Sequence, residues 1–90
     1  MNETIYTIIQ PGIKQQIVYV FSSNSETIPV TLHSSIDGLA DTILAAAQKY
    51  NISDIKIKGI KDFNQKIKED IFFKQNTYFN QDTDLNVELI

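Results

Sequence analysis

Proton transfer near neutral pH has one unperturbed candidate in this chain, His33. With Ser34, Ser35 and Asp37 beside it, the stretch holds the residue types of a nucleophilic triad. Triads, however, gather residues that lie far apart in the chain. Ser34 and Asp37 also form Ser-x-x-Asp, a pattern that caps a helix, so His33 is read as a strand-end residue. For metal chemistry the candidates are Glu3, Asp37, Asp41 and Asp62, of which the last three serve equally well as caps or solvated helix residues. Asp82-Thr83-Asp84-Leu85-Asn86 begins like a calcium loop, but Val87 stands where that loop needs glycine. Gly12, Gly38 and Gly59 are isolated, so there is no glycine loop to cradle a phosphate. Cysteine is absent, which excludes disulfides and thiolate metal sites. The expectation is therefore no catalytic residue, no metal and no cofactor.

Residues suited to contact are easier to find. All eight basic residues are lysines, the net charge is −3, and arginine, the residue that grips phosphate and guanine bidentately, is missing. Lys56, Lys58 and Lys61, with Lys66 and Lys68, form the one basic region and are the candidate nucleic-acid contacts. Tyr6 and Tyr19 are the rings a single strand could stack on. Tyr78 and Phe79 are two large aromatics in a polar stretch, and Val30 and Leu32 belong to an edge strand. These four are the candidate partner-binding residues.

The elements that position them follow from spacing. Thr4 to Ile9 is rich in β-branched residues and reads as a strand. Pro11-Gly12 suits a type II turn. Ile17 to Phe21 is apolar on both faces, as in a strand inside a sheet. Ile28 to Ser34 is a third strand, and Pro29, lacking an amide donor, assigns it to an edge. From Ile36 to Tyr50 apolar residues recur at helical spacing, with Asn51 able to close the helix. Asp54 to Gly59 alternates, with Ile55 and Ile57 opposite Lys56 and Lys58. Asp62 with Gln65 offers a second capping pair, before a helix on Phe63, Ile67 and Ile71 that ends near Phe73 or Lys74. Gln75 to Asp84 reads as a loop. Leu85, Val87 and Leu89 make the last strand, where Glu88 is a plausible cross-strand partner for a lysine.

That order, βββαβαβ over nearly the whole chain, resembles the ribonuclease H-like topology. The resemblance implies strands arranged 3-2-1-4-5, with the Pro29 strand at an edge. Active members carry a carboxylate inside the first strand and others on the first helix and after the fourth strand, holding two metal ions. Here the first strand contains no acid, Glu3 lies at its wrong end, and the implied metal set is unmatched. The stretch from Ala45 to Gly59 is also similar to part of a small-subunit ribosomal protein family, without that family's Gly/Arg-rich loop.

Ninety residues form one α/β domain spanning 1–90. The expected class is a two-layer α+β fold, a mixed five-stranded sheet with two helices mainly on one face. The chain has no signal-like start and no apolar run long enough for a bilayer, so a cytoplasmic location is expected. The expected function is a non-enzymatic interaction module: an adaptor, inhibitor or assembly factor that binds a protein partner or itself through an edge strand. The alternative is a catalytically inactive ribonuclease H-like nucleic-acid binder.

Overall fold

The computed structural model describes residues 4–9, 15–21, 27–33, 36–80 and 84–90, with side-chain packing for 4–9, 38–80 and 84–90. Five strands and two helices follow one another: β1 Thr4–Ile8, β2 Gln15–Phe21, β3 Thr27–His33, α1 Ile36–Lys49, β4 Asp54–Lys58, α2 Lys61–Tyr78 and β5 Asn86–Leu89. The ladders run in the order β3-β2-β1-β4-β5. β1 pairs antiparallel with β2 and parallel with β4; β2 pairs antiparallel with β3, and β4 pairs parallel with β5. The Pro29 strand lies at one edge, where its missing donor costs least.

The class expected from the sequence, an α+β domain built on a mixed five-stranded sheet, needs correction. The structure has three parallel strands in one sheet, β1, β4 and β5, with two helices. Around this unit the described core includes Ile5 and Ile9, Leu39, Ile43 and Leu44, Ile52, Ile55 and Ile57, Ile67 and Ile71, Leu85 and Val87. Helix α2 is the crossover that parallel neighbours β4 and β5 require. Strands β2 and β3 extend this unit as an antiparallel pair. Apolar periodicity reveals which residues are strand but not which strands share direction, which is why the sequence alone gave weight to all five.

Alternation sorts the parallel strands into two faces. Ile5, Thr7, Ile55, Ile57 and Val87 are buried toward the helices, while Lys58, Asn86 and Glu88 are exposed and Tyr6 and Lys56 half-buried on the other side. Helix α1 buries Leu39, Ala40, Ile43, Leu44 and Ala47 along one stripe. It ends in a Schellman turn: the Ile52 amide donates to the Ala47 carbonyl at 2.8 Å and the Asn51 amide to Gln48 at 3.3 Å. Asn51 sits there at φ 59°, the left-handed conformation anticipated for it.

Helix α2 departs from expectation at both ends. Its N-cap is Ile60, which makes no side-chain cap, so the Asp62–Gln65 pair does not start the helix. Asn64, buried at 2% exposure, does that work instead. Oriented as its neighbours require, its amide nitrogen donates to the Ile60 carbonyl at 3.1 Å and its oxygen accepts from the Gly59 amide at 3.0 Å. Gly59 holds φ 152°, and a Cβ there would come within 2.7 Å of the Ile9 carbonyl. At the other end the helix continues to Tyr78, through residues read as loop, and closes when the Phe79 amide donates to Gln75 at 2.9 Å. The Ser34–Asp37 capping box, Pro11-Gly12 and Asp82-Thr83 lie outside the described residues or side chains.

Candidate interaction surface

Three groups of side chains merit comparison: the acids, the open sheet face and the outer side of α2. Of the acids, Asp41 joins the two helices. Lys74 Nζ donates to its Oδ2 at 2.7 Å and the Tyr78 hydroxyl to its Oδ1 at 3.2 Å. Lys74 and Tyr78 stand one helical turn apart on α2, so one carboxylate on α1 clasps the end of the second helix. The hydrogen bond from Lys74 holds the Asp41 carboxyl below the usual carboxylate range, and the same bond raises Lys74. Partial burial, then donation to Asp41, raises the Tyr78 phenol.

Asp62 is exposed in the first turn of α2, and Glu3 and Asp37 lie outside the described side chains. Among the described residues, no three of His, Cys, Asp and Glu gather where they could hold a metal ion. The middle of β1 carries Tyr6 and Thr7. Thr7 Oγ1 is fully buried without a partner among the described residues, a cost that a strand-centre polar group normally avoids. His33 lies at the end of β3, and its side chain lies outside those described.

On the open sheet face the ladders line up two rows. Thr4, Asp54 and Asn86 form the first, tied by Thr4 Oγ1 donating to Asp54 at 3.3 Å and Asn86 Nδ2 donating to Asp54 at 3.0 Å. Tyr19, Tyr6, Lys56 and Glu88 form the second, so the anticipated opposition of Glu88 to a lysine falls on Lys56. Lys58 continues this face, whereas Lys61 stands apart at the start of α2, exposed. The candidate nucleic-acid lysines are thus split between two elements, and the pair that shares a face is interleaved with Asp54 and Glu88.

The candidate partner-binding residues are also divided. Tyr78 and Phe79 are half-buried and packed against the core. By register Val30 opposes Val18 and Leu32 opposes Gln16 on the edge strand β3, away from Tyr78 and Phe79 in sequence and in element. Their side chains lie outside those described.

The feature missed by sequence reading is on α2. Phe73 is 86% exposed and Phe72 40% exposed, adjacent aromatics on the helix face away from Ile67 and Ile71. Their signal was available: the stripe Phe63, Ile67, Ile71 requires position 74 or 75 next, so two aromatics at 72 and 73 cannot both point inward.

No family model matches the chain, and no curated protein matches it. Among solved structures it is similar to a Bacteroides thetaiotaomicron VPI-5482 protein of unknown function with an actin-like ATPase fold. The TM-score is 0.61 at 9% identity, covering 99% of this chain and 32% of the other. The chain thus spans about a third of that protein, and at this identity the likeness concerns the fold alone. It bears on the correction above: the fold that the chain resembles is an actin-like one.

Proposed function

We propose that this chain is a non-enzymatic interaction module, an adaptor, inhibitor or assembly factor that binds a protein partner or a second copy of itself. The observation that carries the proposal is the Phe72–Phe73 pair. A largely exposed phenylalanine contributes little to folding and leaves apolar surface in water, whereas aromatics of this kind anchor interfaces. The neighbours Glu69, Asn76 and Thr77 supply a polar rim on the same exposed side. The commitment of Asp41 to Lys74 and Tyr78 supports the non-catalytic part of the reading. The cytoplasm is the proposed location; among the described residues no helix is long and apolar enough to cross a membrane.

A photo-crosslinking phenylalanine analogue placed at position 73 in cells producing the protein tests this. The expected result is a discrete protein adduct absent when the analogue sits at Lys61, also exposed but at the opposite end of α2. Equal, diffuse labelling from both positions contradicts the proposal.

The second reading, an inactive ribonuclease H-like nucleic-acid binder, is supported by the strand order β3-β2-β1-β4-β5 and by Lys56 and Lys58 sharing a face with Tyr6. It expects binding of single-stranded RNA or DNA that weakens with salt and with Lys56→Ala and Lys58→Ala. Because Glu88 and Asp54 lie among those lysines, we place it second.

A further inference from the structure

We infer that β5 is a self-pairing edge, joining two copies of this chain antiparallel about a two-fold axis at Val87. This deepens the interaction-module reading by naming a partner, and it rests on that reading. Strand β5 pairs with β4 on one side only. The Asn86 amide donates to Ser53 at 2.8 Å and the Ile90 amide to Ile57 at 3.0 Å. These two bonds set the direction of every peptide group between them. In a trans peptide the N–H and C=O point opposite ways, so the Leu85 carbonyl, the N–H and C=O of Val87, and the N–H and C=O of Leu89 all point away from β4. Among the described residues none of them has a backbone partner.

An edge left so is an invitation to another strand unless something blocks it. At the opposite edge Pro29 removes a donor. Asn86–Leu89 has no proline or glycine.

The outward groups also choose the register and favour a second copy over a foreign peptide. Only residues with outward groups can exchange both bonds across an antiparallel pair. An axis at Val87 places Val87 against the partner's Val87 and Leu85 against the partner's Leu89, so all three outward positions pair. The same axis sets Asn86 opposite the partner's Glu88. Both are exposed, and the amide meets a carboxylate, so like charges are not opposed in a chain of net charge −3. Glu88 then lies between its own Lys56 and the partner's Asn86. A strand with Glu at both exposed positions would have been self-repelling; this one is complementary to itself.

Amide exchange by NMR on the full chain, at dilute and concentrated protein alongside sedimentation, provides the test. The expected result is a monomer–dimer equilibrium in which the Val87 and Leu89 amides gain at least about tenfold protection on concentration. The Glu88 and Ile90 amides, bonded to β4, are slow at both concentrations. Asn86→Lys, opposing the partner's Glu88, tightens the dimer by roughly 2- to 10-fold. A monomer at every concentration, a dimer whose Val87 and Leu89 amides exchange as in the monomer, or no tightening by Asn86→Lys each overturns the inference. A monomer that still yields the Phe73 adduct overturns self-pairing alone and leaves the interaction module standing.

Discussion

The two helices lie side by side and share Asp41, Lys74 and Tyr78, yet they use their apolar residues in opposite ways. Helix α1 turns Leu39, Ala40, Ile43, Leu44, Ala46 and Ala47 into the core. Helix α2 is longer, buries Ile67 and Ile71 with the amide of Asn64, and holds two phenylalanines in solvent. Folding explains α1. It explains the inner side of α2 only, and what folding leaves unexplained is where contact with another molecule is to be sought.

Substitutions can break this contrast or sharpen it. The largest effect belongs to Ile43→Ala, which empties a fully buried site on α1; urea unfolding is expected to lose about 2–5 kcal/mol. Gly59→Ala comes next. Its φ of 152° and the Ile9 carbonyl 2.7 Å from the new Cβ force the β4–α2 junction to shift, at about 1–3 kcal/mol in the same measurement. Asn64→Ala removes both side-chain bonds at the start of α2 and leaves the Gly59 amide without them; about 1–3 kcal/mol is expected.

A smaller effect distinguishes the helix–helix clasp by pH. Because Lys74 lowers the Asp41 pKa, the Asp41 contribution is present above the unfolded carboxylate range, near pH 4, and fades as pH falls through the depressed folded value. Because Lys74 is raised, its contribution is present below its unfolded value, near pH 10, and fades above the folded one. Thermal melts should therefore separate wild type from Asp41→Asn most at neutral pH and converge in strong acid.

Much of the fold was legible in the residues, and the failures have physical causes. The alternation of Ile55 and Ile57 with Lys56 and Lys58 placed a strand with one wet face, and Asn51 announced the left-handed end of α1. The end of α2 was hidden because Asn76-Thr77 has weak helical preference. Tertiary contact overrides it: Tyr78 packs against the core and reaches Asp41. Asn64 was overlooked because a polar residue on an apolar stripe looks like an interruption until its amide is seen closing the Gly59 turn. The division of the sheet into a parallel unit and an antiparallel extension depends on strand direction, which side-chain period does not encode. Among the site residues, Tyr78 and Phe79 drew attention as aromatics in a polar stretch, while the more exposed pair a turn earlier was absorbed into the helix pattern.

The contrast between the helices rests on Phe73 lying outside the packed structure, and denaturant unfolding of Phe73→Ser tests that directly. An exposed site of this kind predicts a stability within about 0.5 kcal/mol of wild type and an unchanged denaturant slope. A loss of about 2 kcal/mol or more would show that the ring is part of the core, and would contradict its assignment to contact.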